Sequence, residues 1–302
     1  MQVLRARSAG FCIGVSLALR RLDQELENLL ADPEASGHGS GEAAGRTPRL
    51  FTFGPIIHNP LVMRSYAEKG VICEKDPARF HEGDRVVIRA HGIPPSLERQ
   101  LEDSGVTIID ATCPKVKKAQ LIIGREQALG GTLILFGEKD HPEVRGLLGY
   151  ADSSALVFGS MAELAELPLT QGSAYFLAAQ TTQERAAFLA ARDFLDTRLG
   201  HPVICLDTIC DATRDRQQEV LELTETVEAM IVVGGLNSGN TRRLAEVAAA
   251  KGIPTIHVEQ VSDITDELRT SILAGKQVVG LTAGASTPEE HIDAMQAFLE
   301  TS

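Results

Sequence analysis

Tryptophan is absent from the 302 residues, only 3 tyrosines are present, and no two cysteines stand in a CxxC pair. The 5 cysteines are an odd number scattered over a long chain. That spread argues against the disulfide framework of a small secreted scaffold and for reduced thiols. Long apolar runs are also missing, since none reaches the roughly 20 residues that span a bilayer. Near the N-terminus Arg5 and Arg7 precede the run Ala9 to Val15, which loosely resembles a secretory signal. Two glycines break it and no small-x-small cleavage site follows, so it reads as folded structure in a cytoplasmic protein. Basic residues are the minority, with 29 Lys and Arg against 41 Asp and Glu. The resulting formal charge of −12 disfavours nucleic acid and anionic membranes as partners. What remains, 43% apolar and 23% charged residues, is an ordinary globular composition with room for two or three domains.

A weak internal repeat with a period of about a hundred residues organises the chain. Three strand-like runs, Gln2 to Arg7, Val106 to Asp110 and Val203 to Asp207, each lead within a few residues to a cysteine (Cys12, Cys113, Cys210) and then to a helical pattern. A second apolar run follows each helix and ends in a polar loop: His58-Asn59-Pro60, His141-Pro142-Glu143 and Ser238-Gly239-Asn240. In the first copy this loop comes later, because residues 31–48, rich in Gly, Ser, Ala and Glu, read as a flexible surface insertion. A further strand in each copy ends in a third loop, at His91, Thr181 and Ser286. Alternating buried strands and amphipathic helices predict parallel sheets covered by helices. The expectation is an α/β protein of three similar small lobes, 1–104, 105–201 and 202–302, in pseudo-threefold arrangement. In such sheets ligands bind beyond the carboxyl ends of the strands, so lobes that face one another would gather all nine loops at one centre.

Three thiolates gathered in this way can hold three irons of a cubane iron-sulfur cluster and leave the fourth open to a substrate. Each of the three cysteines stands at a strand-to-helix junction, where helix amides stabilise a thiolate. Isolated cysteines are more often small buried hydrophobes, and that reading is preferred for Cys73 and Cys205, which fall outside the repeated junction. Around the centre the loops supply His58, His91, His141, Thr181, Ser238, Asn240 and Ser286, a neutral donor set suited to a phosphate or diphosphate. Ser and Asn at such places are also the usual helix caps, and the two roles are compatible. Glu143 admits two readings: a proton donor whose pKa burial has raised, or a first-turn residue complementing the helix dipole.

Taken together, Gly10-Phe11-Cys12-Ile13-Gly14-Val15, His58-Asn59-Pro60, Arg89-Ala90-His91-Gly92, Asp110-Ala111-Thr112-Cys113-Pro114, His141-Pro142-Glu143-Val144, Gln180-Thr181-Thr182, Asn237-Ser238-Gly239-Asn240 and Thr282-Ala283-Gly284-Ala285-Ser286 resemble the IspH (LytB) family. The resemblance runs in order from the first strand to the last helix. It implies a reductase acting on (E)-4-hydroxy-3-methylbut-2-enyl diphosphate at the end of the methylerythritol phosphate route to isoprenoids. It further implies a [4Fe-4S] cluster on Cys12, Cys113 and Cys210. Diphosphate contacts would fall on His58, His91, Ser238, Gly239, Asn240 and Ser286, with His141 and Thr181 nearer the hydroxyl end. Glu143, in concert with Thr181, would deliver a proton. The electron donor implied is a ferredoxin or a flavodoxin. No Arg or Lys stands among these contact positions, which keeps permanent cations away from the substrate. Two features depart from the family pattern: Gly239 stands where many members have Ser, leaving a backbone amide in place of a hydroxyl, and the insertion 31–48 is unusual. Two rival readings are a zinc enzyme on the same three cysteines and a non-catalytic phosphometabolite-binding regulator.

Overall fold

The computed structural model describes residues 1–31 and 48–301. The insertion expected at 31–48 therefore lies, apart from its two ends, outside the described residues.

Among the described residues, twelve strands form three separate four-stranded parallel sheets. The strands are β1 (Gln2–Arg5), β2 (Leu50–Phe53), β3 (Ile72–Glu74), β4 (Arg85–Ile88), β5 (Thr107–Asp110), β6 (Thr132–Phe136), β7 (Leu156–Phe158), β8 (Tyr175–Ala179), β9 (Ile204–Cys205), β10 (Ala229–Val233), β11 (Thr255–Val258) and β12 (Val278–Ala283). Their orders are β3-β2-β4-β5, β7-β6-β8-β9 and β11-β10-β12-β1. The three orders are one pattern repeated, and the N-terminal strand completes the C-terminal sheet. This bears out the α/β reading with three parallel-sheet lobes.

The central strands are largely apolar along their whole length because both faces are covered. Leu50–Phe53, Tyr175–Ala179 and Ala229–Val233 are buried at every position, the mark of a parallel sheet between helical layers. Each sheet has a core on both sides. In the lobe of β2, one side packs Leu19 and Leu22 against Leu50 and Val87, and the other packs Phe51, Phe80 and Leu101.

The helices show where the chain changes lobe. Helix α1 (Ile13–Ala31) follows β1 but packs on the sheet of β2. Counting the longer helices in chain order, α2 (Pro60–Glu68) and α3 (Pro95–Asp103) belong to that same lobe, and α4 (Pro114–Ala128) follows β5. Ala119 and Ile123 of α4 pack with Leu133, Leu135 and Phe176 of the next sheet. After α5 (Pro142–Leu148), α6 (Met161–Glu166) and α7 (Arg185–Leu199), helix α8 (Asp211–Thr224) follows β9, and its Val220 packs on Met230 and Val232 of the third sheet. Cys12, Cys113 and Cys210 are the residues at these three crossings.

Sheet pairing thus shifts the expected boundaries. Divisions after 104 and 201 place β5 and β9 at the start of lobes, whereas β5 pairs with β4 and β9 with β8. Likewise β1 pairs with β12, far along the chain. Hydrogen bonds between strands leave no trace in local periodicity, so the repeat locates the junctions without saying which sheet each strand closes. No helix among the described residues is long and apolar enough to cross a membrane.

Candidate active site at the lobe junction

Nine strand ends point at one cavity of about 110 Å³. All twelve residues singled out in the sequence line it, so none of them is stranded elsewhere.

The cysteines are held by a device used three times. The N–H of Cys12 donates to the carbonyl of Ala285 at 3.1 Å, that of Cys113 to Ala90 at 2.9 Å, and that of Cys210 to Thr181 at 2.9 Å. Each acceptor lies in the third loop of its lobe, next to or at a residue expected to bind substrate. Each cysteine carbonyl then opens the following helix, accepting from Ser16, Lys117 and Arg214 at 2.9, 2.9 and 3.0 Å. The sulfurs therefore sit at three helix N-termini, where backbone amides reach them: Val15 donates to Sγ of Cys12 at 3.4 Å. Amides of Lys115 and Val116 do the same for Cys113, and those of Ala212 and Thr213 for Cys210. Burial nonetheless raises the Cys113 and Cys210 pKa values, and the neighbouring cysteine charges add to it. A bound cationic metal group would reverse that balance.

Cys73 and Cys205 do not join this centre. Cys205 packs partly buried on the core of the second lobe, as expected of a small hydrophobe. Cys73 is exposed on β3, an edge strand, and so departs from the buried position expected for it.

Facing the sulfurs are three imidazoles, with ring centroids 4.5 Å apart for His58 and His91, 5.2 Å for His58 and His141, and 5.4 Å for His91 and His141. Burial lowers their pKa values first; Arg89 adds to it for His58, and the neighbouring histidines add to it for His91 and His141. His58 falls to about 4, His141 to about 3, and His91 well below the ordinary value. All three are neutral at pH 7. Nδ1 of His141 accepts from the N–H of Glu143 at 3.1 Å, capping α5. A neutral ring then carries its proton on Nε2. Nε2 of His58, Nδ1 of His91 and Nδ2 of Asn240 are buried without partners among the described residues, as donors reserved for a ligand would be.

Capping and ligand binding coexist here, as the sequence allowed. Ser238 accepts from Thr241 N–H at 3.3 Å and caps α9 (Gly239–Ala250), while Asn59 caps α2. The loops are also tied across lobes. Asn59 donates to the Ser286 carbonyl at 2.9 Å, and Ser286 returns its hydroxyl to the His58 carbonyl at 3.3 Å.

Glu143 is 2% exposed and accepts from both the N–H and the hydroxyl of Thr181. Burial lifts its pKa to about 7, against the opposing pull of these two hydrogen bonds. Both sequence readings remain compatible with this environment: Glu143 stands in the first turn of α5, and its burial favours a carboxyl that holds a proton near neutrality.

The sequence reading saw only neutral donors, yet Lys115 and Arg216 line the cavity and Arg89 acts on its histidines. Arg89 follows β4 and has its Nε buried without a partner; burial lowers its pKa to about 10. Its charge acts on all three histidines. Arg216, 5% exposed, lines the cavity beside Cys12 and Cys210. The available signal was α8 itself: its inward stripe reads Thr213, Arg216, Gln217 and Val220, polar where a helix face normally turns apolar.

Two donor sets could hold metal. Among the described residues, the three histidines are the set whose ligand atoms, all within 4.8 Å of one another, suit a single ion. The three sulfurs line the same cavity without forming so tight a group, an arrangement suited to a multinuclear cluster whose ligands sit on separate irons.

A family model described as LytB protein matches residues 3–300. The chain belongs to the LytB family. Among relatives, 4-hydroxy-3-methylbut-2-enyl diphosphate reductase of Nitratidesulfovibrio vulgaris (strain DSM 19637 / Miyazaki F) is 56% identical over 302 residues, covering 100% of both chains. The protein of the same name from Caldanaerobacter subterraneus subsp. tengcongensis is 35% identical over 295 residues, 97% of this chain and 94% of that one. A solved (E)-4-hydroxy-3-methyl-but-2-enyl diphosphate reductase, described as the terminal enzyme of the non-mevalonate pathway, superposes with a TM-score of 0.66 at 33% identity over 100% of both chains. The Plasmodium falciparum reductase shares the LytB fold with a TM-score of 0.86 at 23% identity, covering 98% of this chain and 87% of that one.

Proposed function

We propose that this LytB-family chain is a 4-hydroxy-3-methylbut-2-enyl diphosphate reductase. It removes the allylic hydroxyl of (E)-4-hydroxy-3-methylbut-2-enyl diphosphate to give isopentenyl and dimethylallyl diphosphate. The observation that carries this reading is the meeting of Cys12, Cys113 and Cys210, from the three lobe crossings, in one cavity with a neutral polar donor set. The sulfurs, each accepting hydrogen bonds from backbone amides at a helix N-terminus, fit a [4Fe-4S] group. When bound, it supplies electrons one at a time and Lewis acidity at its open iron. Full-length relatives at 50–56% identity carry the reductase name.

The side chains divide the remaining work. His58, His91, Ser238, Asn240 and Ser286, with the Gly239 amide at the start of α9, bind the diphosphate. Unpartnered nitrogens on His58, His91 and Asn240 support that role. His141, its Nδ1 occupied by the Glu143 amide, presents Nε2–H near the hydroxyl end. Glu143 holds a proton close to neutral pH and passes it through the Thr181 hydroxyl to the departing oxygen, which leaves as water. The reaction takes up two electrons and two protons in all. The donor is a small electron carrier such as a ferredoxin or flavodoxin.

A zinc enzyme on the three cysteines is the weaker reading, because the three sulfurs do not form a single-ion set. Anaerobically purified protein supplied with a low-potential viologen should convert the hydroxylated diphosphate to both products, resolved by chromatography. Binding without conversion would leave the regulator reading standing instead.

A further inference from the structure

Helix α8 starts at a cysteine and turns a polar face inward, and Arg216 is the charged member of that face. It is 5% exposed. Its Nη2 donates to the Gly10 carbonyl at 2.8 Å, tying the segment before Cys12 to the helix after Cys210. Nε and Nη1 are buried and find no partner among the described residues. A guanidinium left with two idle donors away from water is strongly disfavoured unless an anion faces it.

Three acidic groups act on Arg216 electrostatically: Cys12, Cys210 and Glu219. Glu219 is committed elsewhere, accepting from the backbone N–H groups of Arg7 and Ser8 and from the Ser8 hydroxyl. The two cysteines remain, and both are ligands in the reading above, on which this inference rests. We propose that Arg216 is the fixed counter-charge of the cluster, its idle N–H groups directed at cluster sulfur and its charge setting the reduction potential. A nearby cation stabilises the more negative, reduced state, so Arg216 raises the potential and eases electron entry. It is a positioning residue: it acts on the cluster's energy and on the placement of two ligand segments, not on substrate.

The test uses anaerobic, cluster-loaded protein and reads the midpoint potential by dye-mediated titration followed by electron paramagnetic resonance, with iron content alongside. Arg216→Met should keep its iron and shift the potential to more negative values, while Arg216→Lys, which restores the charge, returns toward wild type. A fully loaded Arg216→Met with the wild-type potential overturns the proposal. If the Met variant loses its iron, Arg216→Gln is compared with Arg216→Lys: a lower potential in Gln alone supports the proposal, and equal potentials in the two overturn it. A wild-type chain that holds no cluster would fail one step earlier, at the reading of the site.

Discussion

The Glu143 carboxylate takes both hydrogen bonds that Thr181 can give, from the backbone N–H at 2.6 Å and from the hydroxyl at 3.0 Å. The Thr181 carbonyl in turn accepts the N–H of Cys210 at 2.9 Å. One short chain of contacts therefore runs from a buried acid to the backbone of Cys210, so in the proposed mechanism proton delivery and ligand placement share a residue.

Replacing Glu143 by Gln keeps size and hydrogen bonding and removes the proton. Turnover should fall by about 10²-fold or more, with iron content and diphosphate affinity unchanged. With the protonated acid as the proposed active form and its pKa near 7, wild-type turnover should decline as pH rises through that value. Steady-state rates in Glu143→Gln equal to wild type would remove the acid role.

The histidines impose the opposite trend on stability. Their folded pKa values lie below the ordinary one, at about 4 for His58 and about 3 for His141. As pH falls below about 6.5 the unfolded chain takes up protons that the folded one refuses, so stability is lost down to the folded values. Between pH 7 and pH 5, His58→Asn should lose about 1–2 kcal/mol less than wild type in urea unfolding. Equal losses would mean that His58 titrates normally.

Gly14 is pinned by the sulfurs. A Cβ there would collide with Sγ of Cys113 and come within 3.8 Å of Sγ of Cys12. Gly14→Ala should fold, by circular dichroism, yet bind iron poorly. Full iron content would show that α1 can shift to make room.

Arg89 bears on substrate affinity through charge. Arg89→Ser should raise KM about tenfold and leave kcat nearly unchanged, as expected when binding common to ground and transition states is lost. A fall in kcat at constant KM would assign it to the chemistry instead.

Much of this was legible in the chain. The recurring strand, cysteine and helix order located the loops, because a parallel strand must end where its helix begins and the crevice lies there. Pairing was not legible: that β1 closes the sheet of β12 depends on hydrogen bonds between residues such as Val3 and Val279, which no local pattern records. The buried guanidiniums were missed for a related reason. Burial of Arg89 and Arg216 is decided by tertiary packing, and a basic residue in isolation reads as surface. The capping role of His141 was likewise hidden, since it is set by backbone geometry at the start of α5.

The most direct test of the account is the metal content of anaerobically purified protein. Wild type should hold about four irons and four sulfides per chain. Serine at Cys12, Cys113 or Cys210 should abolish or sharply reduce that content, while serine at Cys73 or Cys205 leaves it intact. A chain carrying a single zinc, or one that keeps its full iron after Cys113→Ser, would contradict the claim that these three sulfurs hold the cluster.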